Sequence, residues 1–327
     1  MPLPRISIIT PSYNQGHYLE QTIQSVLAQG YPNLEYFLMD GGSTDNSVEI
    51  IKKYQRHLTH WVSEKDEGQS DAINKGLRLA TGDVINWLNS DDYYMPGALH
   101  HVAGVFGDAS VTAYCGRSRV FSDTREYPSQ GTDVYAGNLP KTIGWARIDQ
   151  PETFFRKEVW AYFGAVNQSF HYVMDKELWI RYLLKYGSDG IRKDEVPLVN
   201  FRIHWASKTG AQGEKFAQET LDLFYSLATL FGPEMAPKLA GLGRVNAKLL
   251  FNYPAAAPAL LENALHYFAL HVALEAYAQN DYSLAKKAAR VIDLGRLARE
   301  DADALHKVLF RMKVMPASVK RLVNLLR

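Results

Sequence analysis

Apolar and polar positions follow two rhythms along this chain, and the first hundred residues show both. Arg5–Thr10 (RISIIT) is a short apolar run of the kind found in strands buried on both faces. Over Tyr18–Gln29 the spacing turns helical and places Leu19, Ile23, Val26 and Leu27 on one face. The alternation then repeats. Leu34–Met39 predicts a second strand, and Ser43, Thr44 and Asp45 are N-cap candidates for a helix running through Tyr54. Trp61–Ser63 predicts a third strand, Ser70–Ala80 a helix, and Val84–Leu88 (VINWL) a fourth strand. Strands alternating with helices imply an α/β fold on a mainly parallel sheet with right-handed crossovers. Ligands of such sheets bind at the carboxyl ends of the strands. That rule selects the loops carrying Ser12–Gln15, Asp40–Asp45 and Asn89–Asp92.

From Tyr114 to His204 the pattern is more mixed, with strand-like pieces at Ala113–Phe121 and Glu152–Phe155 and a helix predicted over Lys176–Tyr186. Beyond about Gly213 helical spacing takes over, in Glu214–Leu230, Glu262–Gln279, Ser283–Leu294 and Ala302–Arg311. Asn280-Asp281 reads as the turn of a helical hairpin. The chain is therefore expected to comprise a catalytic or binding domain over residues 1–212 and an all-helical region over 213–327. The latter would serve packing, oligomerisation or membrane-surface association.

Composition acts mostly by exclusion. A chain of 327 residues, 46% hydrophobic, can bury one large core with an appendage, or two modest ones. Its formal net charge of +1 gives no global field for nucleic acid or an acidic substrate, and no nucleic-acid partner is expected. The single cysteine, Cys115, leaves no internal disulfide framework and reads as a buried structural thiol, which fits a reducing compartment. No apolar stretch reaches the roughly 20 residues needed to span a bilayer. The opening MPLPRISIITPSYN lacks a signal peptide's pattern. The expectation is a cytoplasmic protein, at most peripheral on the inner face of the plasma membrane.

The selected loops carry chemistry. Asn89-Ser90-Asp91-Asp92 puts two adjacent carboxylates just past a buried strand, which is costly unless a cation or hydrogen-bond donors meet them. A hard divalent ion such as Mg²⁺, shared with substrate phosphate oxygens, suits them; so does a plain turn, and both readings stand at this point. Asp40 ends the second strand in the same way. Its carboxylate can accept from a base N–H, while Gly41 and Gly42 let a ligand approach the backbone. Ser12-Tyr13-Asn14 adds an aromatic ring and polar groups at the same sheet edge.

Taken together, ISIITPSYNQGHYLEQTIQSVLAQGYPNLEYFLMDGGSTDNS, EKDEGQSDAINKGLRLATGD and INWLNSDDYYMPGAL closely resemble the inverting glycosyltransferases of family 2. A weaker likeness continues through QPETFFRKEVWAYFG, DKELWIRY and FRIHWASKT to about residue 209. The resemblance implies the GT-A fold, a Rossmann-like mixed sheet flanked by helices. It also implies a nucleotide-sugar donor, a UDP-sugar, and Mn²⁺ or Mg²⁺ as cofactor. Enzymes of bacterial surface-polysaccharide assembly such as O-antigen are the nearest subgroup suggested. By position, the likeness assigns Pro11, Ser12, Tyr13, Asp40 and Gly41 to the nucleotide, with Tyr13 packing on uracil and Asp40 meeting its N3–H. It places Asp71, Asn74 and Lys75 at the sugar and diphosphate. Asn89-Ser90-Asp91 occupies the DxD position, with Asp91 as metal ligand, Asp92 as a substitute acid and Asn89 as a departure that removes one charge. His204 is implied as a late ligand of the metal or diphosphate, Ser207 and Lys208 as neutralisers of the diphosphate, and Asp175 as the base. A helix N-cap is the alternative reading of Asp175.

The implied reaction is direct displacement. A base takes the proton of an acceptor hydroxyl, on a glycan or lipid-linked oligosaccharide, as it attacks the anomeric carbon. An α-linked donor would give a β-linked product. A nucleotidyltransferase is disfavoured, because PSYNQGHY lacks the Gly-rich, basic loop such enzymes carry after the first strand. A catalytically silent nucleotide-sugar-binding scaffold is favoured by Asn89 and opposed by Asp40, Asp91 and Asp175. Trp145, Trp160, Trp179 and Trp205 are either sugar-stacking or core residues. Val319, Leu322, Val323 and Leu326, with Arg311, Lys313, Lys320, Arg321 and Arg327, make a basic amphipathic end. It suits peripheral membrane contact or a helix packed on the domain or on a second copy in a homodimer.

Overall fold

The computed structural model describes residues 3–205, 207–208, 212–248 and 258–314. The alternating rhythm of the first hundred residues becomes strand and helix in the expected order: β1 (Ile6–Ser12), α1 (Gly16–Leu27), β2 (Leu34–Asp40), α2 (Ser47–Tyr54), β3 (His60–Ser63), α3 (Gln69–Leu79) and β4 (Val84–Trp87). All seven residues of β1 are buried, as a strand covered on both faces requires. It pairs in parallel with β2 on one side and β4 on the other. Leu19, Ile23 and Val26 of α1 enter the core, and Leu27 is half-buried.

The mixed region supplies the rest of the sheet: β5 (Tyr93–Tyr94), α4 (Ala98–Val105), β6 (Ala113–Phe121), β7 (Glu126–Pro128), α5 (Leu139–Trp145), β8 (Thr153–Arg156), α6 (Lys157–Phe163), α7 (Met174–Tyr186) and β9 (Ile191–Arg202). The strand order is β3-β2-β1-β4-β8-β6-β9-β5, with β7 on β6. Strands β3, β2, β1 and β4 are parallel, whereas β8 runs antiparallel to β4 and β6. The parallel strands are those the alternation predicts, and the mixed sheet is what the resemblance implies.

One local expectation is corrected. Asn46, not Ser43, Thr44 or Asp45, occupies the N-cap of α2, and its side chain makes no capping bond. Asp45 is instead spent across elements, accepting from Gly16 N–H at 2.9 Å and from Ser47 N–H at 2.9 Å. It ties the start of α1 to the start of α2.

The chain divides into two compact units. One comprises Met1–Asp133, Arg147–Tyr182 and Tyr186–Gly213; the other comprises Val134–Ala146, Leu183–Lys185 and Glu214–Arg327. The second contains α5 with α8 (Gly213–Phe231), α9 (Ala236–Ala240), α10 (Pro258–Ala278), α11 (Tyr282–Val291) and α12 (Arg299–Val314). Asn280 takes a left-handed φ of 65° and Asp281 caps α11 through Leu284 N–H, which makes the expected hairpin turn. Residues 315–327, which hold most of the basic amphipathic end, lie outside the described residues.

The helical unit recruits Val134–Ala146, a segment the periodicity assigns to residues 1–212. Gly144 explains how. A Cβ there would sit 2.5 Å from Tyr267 Cβ and 2.7 Å from Ala264 O, so only glycine lets α5 lie this close to α10. Lys141 Nζ then reaches Asp301 Oδ1 at 2.7 Å, with the two side chains only 13% and 9% exposed, and lies 4.5 Å from the Tyr135 ring centre. Lys141→Ala should destabilise this unit by about 3–5 kcal/mol, because Asp301 is left charged and buried; Lys141→Met with Asp301→Leu should recover most of it. Urea unfolding of both variants checks this.

Candidate functional site

The parallel register brings three polar side chains into line. Ser12 pairs with Asp40 across β1 and β2, and Asp40 with Ser63 across β2 and β3. All three sit at the carboxyl ends of their strands, and Leu88 N–H donates to Ile9 O, so the Asn89–Asp92 turn leaves from the neighbouring strand end. Pro11 and Ser12 are buried in the last two positions of β1. Tyr13 follows them with 59% of its surface exposed, and its ring is open to a ligand. Ser12 Oγ is buried and has no hydrogen-bond partner among the described residues.

Asp40 is 2% exposed and is held by its own loop. Its Oδ2 accepts from Gly42 N–H, Ser43 N–H and Ser63 Oγ, and Oδ1 accepts from Ser43 Oγ at 2.5 Å. Each carboxylate oxygen has about two acceptor positions, so Oδ1, with one bond, keeps room for a further donor. Gly41 borders a residue the sequence reading did not single out: a Cβ on it would lie 2.6 Å from Asp66 Oδ2. Asp66 also accepts from Gly68 N–H at 2.9 Å and, with Lys65, Glu67, Asp71, Arg78 and Gln168, lines a cleft of about 600 Å³. Its signal lay in the EKDEG landmark, as an acid two residues before the glycine that precedes α3.

The face of α3 is divided between structure and cleft. Asp71 lines the cleft, accepting from Gln168 Nε2 at 3.0 Å. Lys75 reaches Glu64 at 2.9 Å and Asp71 at 3.4 Å, and the Glu64 carboxylate raises its pKa. Asn74 is buried. It is 5% exposed; its Nδ2 donates to Val166 O at 2.9 Å and its Oδ1 accepts from Val166 N–H at 2.8 Å. Each half of the amide makes one bond to the backbone of one residue, so Asn74 anchors the chain ahead of α7.

The acidic turn is fixed from several sides. Thr22 Oγ1 donates toward Ser90 O and Asp92 O at 2.9 and 2.7 Å. Asn89 Oδ1 accepts from Gln69 Nε2, and Gln69 Oε1 accepts from Lys208 Nζ at 2.9 Å. Asp91 Oδ2 lies 3.0 Å from His204 Nε2, the side chains being 19% and 10% exposed. Asp92 is different. It is 1% exposed, its Oδ1 accepts from Arg202 N–H, and its Oδ2 is without a partner. Burial, reinforced by the Asp91 charge, raises its pKa well above the ordinary carboxylate range. Asp92 thus supports the turn through Oδ1, while its Oδ2 stays uncommitted. Ser207 likewise serves locally, its Oγ donating to His204 O.

A carboxylate and an imidazole at one sheet edge are a donor pair that fits a divalent ion completing its shell with phosphate oxygens. Among the described residues no group of three or more His, Cys, Asp or Glu forms an all-protein cage. Asp91 and His204 are the residues that would hold such an ion.

Asp175 lies in the first turn of α7, inside the helix rather than at its cap. Ser70, next to Gln69, donates from Oγ to Met174 Sδ at 2.8 Å, so the residue pair that opens α3 touches both the acidic turn and the start of α7. Burial pushes the Asp175 carboxyl up to about 6, against the Lys176 N–H and charge that pull it down. Of the four tryptophans considered, Trp160 and Trp179 are buried, Trp145 packs against Tyr135, Tyr267 and His271, and Trp205 is 89% exposed beside His204.

The sequence pattern described as "Glycosyl transferase family 2" matches residues 7–170, just over half of the chain and all of the strand ends above. The chain belongs to this family. Among curated relatives, an uncharacterized glycosyltransferase of Rickettsia typhi is 26% identical over 219 residues. That match covers 63% of this chain and 66% of that protein, just under two thirds of the relative's length. Staphylococcus aureus TarS, solved with UDP-GlcNAc, superposes with a TM-score of 0.59 at 16% identity, covering 94% of this chain and 88% of that one. The mannosyltransferase PcManGT of Pyrobaculum calidifontis, solved with GDP-Man and Mn²⁺, gives 0.55 at 17% identity over 99% and 84%. At such identities the likeness is one of fold, and the fold is GT-A. No helix among the described residues is long and apolar enough to cross a membrane.

Proposed function

We propose that this protein transfers a sugar from a UDP-sugar to a hydroxyl of a glycan or lipid-linked glycan by direct, inverting displacement, with residues 1–212 as the catalytic part. The observation that carries the reading is the half-buried Asp175 carboxyl, raised to about 6 at the start of the helix docked on α3. A base of that strength is mostly ionised at neutral pH yet takes a proton well. Tyr13 stacks on the base, Asp40 Oδ1 accepts from it, and Gly41 leaves room for it beside Asp66. Asp71 and Lys75 face the sugar and diphosphate. Asp91 and His204 would hold a divalent ion, which when bound would supply Lewis acidity toward the departing diphosphate. TarS and PcManGT, solved with a nucleotide sugar in the same fold, support the donor class.

A calorimetric panel of nucleotide sugars with and without Mn²⁺, followed by NMR of the product anomer, tests the reading. One UDP-sugar should bind in a metal-dependent way and give the inverted anomer; a retained anomer overturns direct displacement. Tyr13→Ala should weaken that binding by about 1–3 kcal/mol, the range of base–aromatic stacking. The silent-scaffold reading rests on Asn89, whose Oδ1 is occupied by Gln69. It predicts binding without product.

A further inference from the structure

The Asp91–His204 pair is useful only if the turn carrying Asp91 and the segment carrying His204 keep their relative position. One side chain ties them together. Arg202 ends β9, two residues before His204, and its guanidinium carbon lies 4.6 Å from the ring centre of Phe121, 4.7 Å from Tyr18 and 5.8 Å from Tyr93. Its Nε donates to Asp91 O at 3.1 Å, its Nη2 to Gln21 Oε1 at 2.6 Å, and its backbone N–H to Asp92 Oδ1 at 2.9 Å. The Tyr18 ring that covers the guanidinium also packs on the His204 ring, with centroids 4.8 Å apart. Arg202 therefore touches Asp91 directly and His204 through a shared ring. No carboxylate among the described residues pairs with it; the faces of three rings and neutral oxygens receive its charge.

We infer that Arg202 is the positioning residue of the donor site: its ring-caged guanidinium holds the Asn89–Asp92 turn so that Asp91 and His204 form one divalent-cation site. The inference rests on the reading of those two residues as metal ligands. The planar shape matters as much as the charge, since a guanidinium stacks on rings while its edge donates, and an ammonium cannot do both. Residues that orient metal ligands typically govern metal affinity.

The test uses the full chain and Arg202→Lys, with Mn²⁺ alone followed by electron paramagnetic resonance, UDP alone by calorimetry, and the imidazole ¹⁵N shifts of His204 at one fixed pH without metal. The variant should bind Mn²⁺ at least about tenfold more weakly, as for other residues that orient metal ligands. Metal-free UDP binding should stay within about twofold, since Tyr13 and Asp40 are untouched, a split that general loss of structure would not give. The His204 shifts should move toward those of Asp91→Asn. Mn²⁺ affinity and His204 shifts both at wild-type values overturn the inference. If wild type binds no Mn²⁺, the metal reading fails and the shifts alone decide: moved, Arg202 still positions the pair; unmoved, it does not. Should Arg202→Lys fail to fold, Phe121→Leu removes one wall of the cage and should weaken Mn²⁺ about threefold; no change overturns the inference equally.

Discussion

Asp175→Asn is expected to lower kcat by about 10²–10⁴-fold, the range of a lost general base, while leaving UDP-sugar affinity close to wild type. The amide keeps the size of the side chain and removes only its capacity to take a proton. Wild-type kcat/KM should fall with decreasing pH below about 6, where the raised Asp175 carboxyl takes up a proton, and that limb should vanish in the variant. Stability should move the other way. A carboxyl whose folded pKa is raised is a destabilising charge above that pKa, and the penalty disappears below its unfolded value. Asp175→Asn should therefore stabilise the fold by about 1–3 kcal/mol at pH 7, a gain fading between about pH 6 and pH 4. Loss of rate with a gain in melting temperature separates a base from a helix-capping role. An unchanged rate would remove Asp175 from the reaction.

Asp91→Ala should lower kcat/KM by about 100-fold or more, with all metal-dependent tightening of nucleotide binding lost and metal-free UDP binding retained. His204 would lose the carboxylate at 3.0 Å and the ion one of its two protein ligands. Asp92→Asn is the informative partner. Its Oδ1 accepts a backbone N–H and its raised pKa favours a neutral carboxyl, so an amide of the same shape should keep the metal response. Calorimetry of both variants with UDP and Mn²⁺ checks the pair. Equal losses would mean that the two acids share the ion.

Much of the fold was legible because it rests on short-range periodicity. The apolar runs of β1, β2 and β4 and the one-sided stripe of α1 each lie within about a dozen residues, and each became the element expected. The loops at the strand ends were legible for the same reason, since a parallel sheet puts successive βα loops on one edge. Helix caps were less so: Asp45 looked like a cap by residue type but was drawn to Gly16, 29 positions away.

What the chain determined by itself was therefore the first four strands, two further strand pieces and the polar loops at the strand ends; β5, β7 and β9 came only with the structure. Tertiary structure decided which of the available groups are spent. Asn74 is tied to Val166, 92 positions on; Asp92 Oδ1 accepts from Arg202 N–H; and Lys141 belongs to the helical unit through Asp301, 160 positions on. Arg202 reaches Gln21 across 181 positions and so escaped any local pattern. The physical reason is common to all of them. A polar side chain has a fixed number of donors and acceptors, and the partners that satisfy them are chosen by proximity in space, which periodicity along the chain does not encode.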